Sequence, residues 1–497
     1  MPQPRIADHC PPPWPKHILS STGANTAHST AITILKPIRT KGHLLRIVGV
    51  GFGIAVGVGG TIGSGILRTP GEVAAQLRSS WLVVAVWVLG GVYAFFCTAS
   101  VTELATMLPQ EGGWYVYSRK AFGEYAGFVV GCCDWMMQTV AIAYLAVAFG
   151  EFAAGIHPGL ATHLKLVAAV SVGVLTLLNW LGLRAGSRAQ EFTSLVKALA
   201  LIGFVVACFV VSPKAEAANL FSFSRLVPKG SILLALVVAL QAVVVTYDGW
   251  YSPIYFMEED RDPARNLPRS AIGGVLACIG VFVLVNAALL HVLPMAQLAA
   301  SQMPAADAAL LVFGSHGKQI ILVISLITVV STINALLLIT PRILFAMGRD
   351  GLLPRGMASV NSGGTPSVAL LIGALASIAL VLSGSFETLI AIASFLFVAV
   401  YISGLVALFV LRVQRPDLAR PFKVWGYPWT TLGVLLASAG FLIASVISDL
   451  QHSLFTLVLI AISYPVYFFA VRNRAVLNSA PDIGILKEAK VEYTKLP

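Results

Sequence analysis

The chain has 497 residues, 57% of them hydrophobic and only 11% charged, and a mean hydropathy of +0.84. A water-soluble globule has no way to hide that much apolar surface, so the chain belongs in lipid. The formal charge of +11 would suit a nucleic-acid or acidic-surface partner, but the placement of the basic residues excludes both.

A helix needs roughly 20 apolar residues to cross the hydrocarbon layer, so the apolar runs count the spans. Twelve are predicted, near residues 46–77, 81–108, 123–155, 163–183, 189–212, 230–257, 270–293, 319–346, 366–383, 386–411, 429–449 and 452–471. With the N-terminus inside, 25 of the 33 lysines and arginines fall in cytoplasmic tails, loops and span ends. By the positive-inside rule both termini are then cytoplasmic, which agrees with an even number of spans, and the compartment expected is the cell's inner (plasma) membrane. Residues 1–44, with Pro11, Pro12, Pro13 and Pro15 before a Ser/Thr/Ala stretch, lack the apolar core of a signal peptide and read as a disordered cytoplasmic tail. Five of the six cysteines lie in predicted spans and Cys10 in the tail, so no extracellular disulfide is expected.

Spans one to five (residues 45–212) and six to ten (213–412) form two groups of five, and an odd number forces the second group to enter from the opposite side. That is an inverted repeat. Spans eleven and twelve (413–474) are an accessory pair, and 475–497 are a cytoplasmic C-terminal tail. Each group opens on an interrupted span, the sequence pointer to a binding site at the bilayer midplane.

The first interruption reads Gly59-Gly60-Thr61-Ile62-Gly63-Ser64-Gly65-Ile66. Glycines weaken a helix, and an unwound turn aims bare N–H groups and a positive half-helix end into the gap, where a substrate carboxylate can bind without a buried arginine. For Gly49, Gly53 and Gly57 the simpler reading is close helix packing. The second interruption reads Val245-Thr246-Tyr247-Asp248-Gly249-Trp250-Tyr251-Ser252-Pro253. Unwound carbonyls there suit an ammonium group. Asp248 is either a substrate contact, as an ionisable residue at that depth is by default, or a cap on a second half-helix.

Lys197 is the one basic residue placed well inside a span. It is either a buried amine able to exchange a proton or a lysine that snorkels to the cytoplasmic surface about 13 Å away. The acids and arginines of Glu258–Arg269 predict a salt-bridge latch. The nine histidines show no metal-ligand spacing, and neither cofactor, metal nor enzymatic activity is expected.

The Ile62–Ile66 break, Glu103–Gly113, Tyr247–Trp250, Glu258-Glu259 with Asp262–Pro268, and Pro341–Pro354 together resemble the amino acid–polyamine–organocation permeases. The L-type amino acid transporter branch and its bacterial relatives are the nearest resemblance, over about residues 45–475. The resemblance implies an all-α, leucine-transporter-like five-plus-five fold and secondary transport of amino acids by alternating access, proton-coupled or exchanging. A transporter-derived sensor and a polyamine or organocation antiporter are the alternatives. It further implies that Gly63, Ser64 and Gly65 hold the substrate carboxylate and that carbonyls around Val245, Thr246, Tyr247 and Asp248 hold its amino group, with Ile62, Gly249 and Trp250 also in the substrate-binding site. Lys197 would stand in for a cation bridging spans one, five and eight. Gln138, Asn334 and Ser394 are candidates for side-chain selectivity. Val245 falls where many L-type members have a gating Phe. Residues 156–163 lack the cysteine that bonds an ancillary glycoprotein in animal members, so no such subunit is expected.

Overall fold

The computed structural model describes residues 44–211, 231–384 and 386–448, with parts of 457–468, and side chains in the tenth span from Phe395 onward. Among these residues the chain is all helix, apart from isolated bridges pairing Val48 with Asp260 and Val360 with Pro366.

The first predicted span is two helices, α1 (Val50–Thr61) and α2 (Gly65–Leu77), bent by 46° at Ile62-Gly63-Ser64. Then come α3 (Ser80–Met107), the short α4 (Trp114–Phe122), α5 (Glu124–Ile156), α6 (Leu164–Trp180) and α7 (Leu183–Val211). The second half comprises α8 (Ile232–Thr246), α9 (Pro263–Val292), the short α10 (Met295–Ala300) and α11 (Pro304–Phe313), α12 (Gly317–Arg349), α13 (Ser367–Ser383), α14 (Phe386–Gln414) and α15 (Trp429–Ser448). Eight described helices are long and apolar enough to cross a membrane, and the bent pair α1–α2 makes a ninth; α8 and α13 are shorter apolar helices. Most of the predicted twelfth span lies outside the described residues.

The sixth span departs from expectation. α8 ends at Thr246, and the chain continues as turns and a 3-10 segment, Ser252–Phe256, so no second α-helical half follows. Pro253 removes an N–H donor, and Gly249 with φ 98° occupies the left-handed region where a helix cannot continue.

Burial follows lipid logic, with polar groups turned inward. On α7 the buried stripe runs Leu183, Gly186, Gln190, Ser194, Lys197, Leu201, Phe204 and Cys208, while Phe192, Leu195, Leu199, Ile202, Val206 and Val210 face outward. Spacings of three and four keep one face inward over the helix length. α1 packs among α7, α9 and α12, and α5 lies along α12, which holds both interruptions against a scaffold of long helices.

Candidate functional site

The two interruptions touch backbone to backbone. A β-carbon on Gly249 would lie 2.5 Å from the Gly60 carbonyl carbon and 2.9 Å from the Thr61 nitrogen. The Ser252 hydroxyl, which donates to the Gly249 carbonyl at 2.6 Å, occupies the space a β-carbon on Gly60 would need. Only glycines at both places permit this approach.

Around the contact, Gly63, Ser64, Gly65, Val245 and Asp248 are partly exposed, whereas Ile62, Ile66, Thr246, Tyr247, Gly249 and Trp250 are buried. The Gly63 amide turns back to the Thr61 carbonyl at 2.9 Å. Among the described residues no backbone carbonyl accepts from the amides of Ser64, Gly65 or Ile66, and Ser64 forms no side-chain cap. These are the first-turn donors of α2, left open at its positive end. On the other side no described backbone amide donates to the carbonyls of Thr246 or Tyr247. A β-carbon on Gly65 would press on Thr246 at 3.1 Å, whereas one on Gly63 would meet open space. Of the three glycines read as packing positions, Gly53 is tight against Ser270 at 2.5 Å, but Gly49 and Gly57 have ordinary room, at 3.9 Å from Asn266 and 3.6 Å from Pro253.

Asp248 caps no second half-helix, because none exists. Its carboxylate accepts from Tyr401 on α14 and from the Gly249 N–H. Tyr401 belongs to a buried aromatic cluster, 5.2 Å from Trp250, 5.6 Å from Tyr251 and 5.6 Å from Trp114 between ring centroids. Trp250 therefore packs in this cluster, and Tyr247 donates to the Trp87 carbonyl at 3.1 Å.

Lys197 does not snorkel. Its side chain is fully buried, and the ammonium donates to the carbonyls of Gly59 at 2.8 Å and Ile62 at 2.7 Å, two acceptors that the end of α1 leaves free. The Thr332 hydroxyl of α12 stands 3.4 Å from the same Ile62 carbonyl, and Ser194 links the Ala55 carbonyl at 2.7 Å to Ser331 at 3.3 Å. Spans one, five and eight are thus tied around this amine.

Within the predicted latch the only ion pair among the described residues is Arg265 with Asp262, at 3.8 Å. The interleaved Arg261, Arg265 and Arg269 do not hold Glu258 and Glu259; instead Glu258 takes Arg349 at 2.6 Å, and Glu259 takes Arg342 through two nitrogens at 2.6 to 2.9 Å. Glu111 and Glu258 exchange backbone bonds, each amide donating to the other's carboxylate, at 3.0 and 3.1 Å. Burial, then the Glu259 carboxylate beside it, holds the Glu111 carboxyl well above the usual carboxylate range. This network ties the loop before α4, the segment after α8 and the C-terminal part of α12 together.

The selectivity candidates fare differently. Asn334 is consumed in an amide network with Asn179 and Gln190, each at 2.8 Å, and Gln138 is buried against Asp134 and Tyr251. The Ser394 side chain lies outside the described residues.

The family model for amino acid permeases matches residues 49–469. The chain belongs to the amino acid permease family. Relatives of this permease include the serine/threonine exchanger SteT of Bacillus subtilis, 25% identical over 441 residues, 87% of this chain and 98% of the relative. The b(0,+)-type amino acid transporter 1 of Mus musculus is 28% identical over 86% of this chain and 88% of the relative. The large neutral amino acids transporter small subunit 2 of Oryctolagus cuniculus is 30% identical over 77% of this chain and 72% of the relative. The permease is accordingly a multi-pass membrane protein that transports amino acids and is not an enzyme.

Sequence reasoning passed over Asp134 on α5. Its signal was the one applied to Lys197, an ionisable residue within an apolar span. It also passed over Tyr401, which nothing in the sequence sets apart from other aromatics, and it gave no role to Glu103, which is buried and paired with Arg412 at 2.6 Å.

Proposed function

We propose that the permease has twelve spans in a five-plus-five inverted repeat with an accessory pair, and moves its substrate by alternating access around the Gly60–Gly249 contact. The substrate carboxylate sits on the open amides of Ser64, Gly65 and Ile66, and its ammonium on the carbonyls near Thr246 and Tyr247, beside Asp248. The observation that carries this reading is the pairing of two oppositely equipped breaks, donors on one and acceptors on the other, at a single backbone contact. An α-amino acid zwitterion has the complementary pair of charges. Both the named relatives and this geometry favour a substrate with free α-amino and α-carboxyl groups.

Lys197 occupies the place of a bridging cation and couples the cycle to protons. Both termini are cytoplasmic and the membrane is the plasma membrane, on the distribution of basic residues. With no cysteine in residues 156–163, the chain works without a disulfide-linked ancillary subunit.

Proteoliposome uptake of a panel of labelled amino acids, with and without a pH gradient or internal amino acid, tests this function. Saturable uptake of one group of amino acids, stimulated by an inward proton gradient or by internal amino acid, is expected. A requirement for sodium, or no uptake of any amino acid under these conditions, overturns it.

A further inference from the structure

Asp134 is fully buried on α5 and belongs neither to the contact between the breaks nor to the latch. Its carboxyl oxygens both lie 2.8 Å from the Tyr255 hydroxyl, and Gln138 donates to one of them at 3.3 Å. No described basic side chain comes within 4 Å, because the arginines of this end are engaged elsewhere, Arg119 with Asp350, Arg342 with Glu259 and Arg412 with Glu103.

A phenol has one hydrogen to give. Two short contacts from one phenol oxygen to both carboxyl oxygens are both hydrogen bonds when the second proton is on the carboxyl, which then donates back to Tyr255. An unpaired carboxylate removed from water is costly, and a proton removes that cost. The neighbouring acceptors and donors supply no substitute. Gln138 Oε1 and the Tyr117 hydroxyl of α4 are buried without a partner among the described residues.

Tyr255 stands in the irregular segment after α8, whereas Asp134 stands on the long α5 packed along α12. In the alternating-access cycle proposed above, opening of this region separates the first from the second.

We infer that Asp134 is a proton-binding site of the inner gate, holding one proton while the gate is closed and releasing it to cytoplasmic water when Tyr255 separates from it. In that step the carboxyl O–H bond breaks, the proton passes to a water oxygen, and a hydrated carboxylate remains. The inference rests on alternating access as proposed above, and it makes a falling cytoplasmic pH favour the closed gate. The other titratable groups around this site are Cys133 on α5, Tyr117 on α4, and Tyr251, Tyr255 and Asp248 around the second break, with Tyr401 on α14 in ring contact with Tyr251; Glu111 and the Glu259–Arg342 pair lie beyond Tyr117.

The test uses the full-length protein in liposomes and compares wild type with Asp134→Asn, which keeps the shape of the protonated acid. The infrared difference spectrum is expected to show, in wild type at neutral pH, a protonated-carboxyl carbonyl band that the variant lacks. Glu111 and Asp248 are present in both proteins and cancel. Amide hydrogen exchange over residues 251–259 is compared at matched pH, so that intrinsic rates cancel. The wild-type rate relative to the variant is expected to rise by up to tenfold per unit of increasing pH, the signature of one released proton. If Asp134→Asn fails to fold, Tyr255→Phe serves instead, with its carbonyl band retained but shifted by loss of the phenol. An ionised-carboxylate signal with no protonated band, or a flat exchange ratio, overturns the inference. Failure of amino acid uptake with the band present counts against the transport reading and leaves the proton site standing.

Discussion

Gly60 and Gly249 press their backbones together so closely that a β-carbon on Gly249 would stand 2.5 Å from the Gly60 carbonyl carbon. Gly249 also has φ 98°, which an L-side chain rarely adopts. Gly249→Ala should therefore cost about 1–3 kcal/mol from backbone strain alone, with the clash added. Substrate affinity should fall with it, because the two half-sites are held apart. A thermal-stability assay with a parallel binding assay checks this, and an alanine variant that melts and binds like wild type contradicts the contact.

The two glycines bordering Ser64 should respond unequally to a small side chain. Gly65→Ala presses on Thr246 at 3.1 Å, whereas Gly63→Ala enters open space. Alanine at 65 should lower stability more than alanine at 63. Leucine at either position should abolish binding in a scintillation proximity assay, since the side chain fills the space over the open amides. Wild-type affinity in Gly63→Leu would remove that turn from the binding site.

Asp248 accepts from Tyr401 and stands partly exposed beside the second break. If its carboxylate meets the substrate, Asp248→Asn should weaken cationic amino acids more than neutral ones. The difference should be about 1.5–3 kcal/mol, the worth of a charge-assisted hydrogen bond. Competition binding with matched cationic and neutral amino acids measures it. Equal loss for both classes would assign Asp248 to holding Tyr401 instead.

Lys197 donates to two carbonyls at the end of α1 and is expected to leave substrate affinity within a few fold when replaced. Lys197→Ala should nevertheless remove the dependence of uptake on an inward proton gradient. Lys197→Arg, which keeps its charge in a protein, should be worse, holding the bundle in one conformation. Proton-driven accumulation that survives in the arginine variant would exclude this coupling role.

The Arg342–Glu259 pair is fully buried, so breaking one side should be severe. Arg342→Met leaves Glu259 and Glu111 without their shared cation, and about 3–5 kcal/mol should be lost. The double variant Arg342→Met, Glu259→Met should recover most of it, because an apolar pair of similar volume often replaces a buried ion pair without penalty. Melting temperatures of the single and double variants decide the matter.

The sequence by itself determined the apolar, helical character of the chain and the position of the first break. These follow from local quantities, namely the length of an apolar run, glycine's weak helix propensity and proline's missing donor. It also contained the direction of Lys197, since Gln190, Ser194 and Lys197 share one stripe of α7 while Phe192, Leu195 and Leu199 lie off that stripe. Read with lipid outside, that stripe turns the amine inward. Tertiary structure alone decided which partners meet. Glu258 and Glu259 stand among arginines in sequence but bond to arginines about 80 to 90 residues away on α12. Asn334 and Gln138 looked like pocket residues but are consumed by neighbouring amides and hydroxyls. Polar pairing in lipid is set by distance in space, because a buried donor or charge takes whichever partner the packing delivers. No local pattern specifies that delivery, and the Tyr255–Asp134 and Tyr401–Asp248 bonds became visible only once the helices were packed.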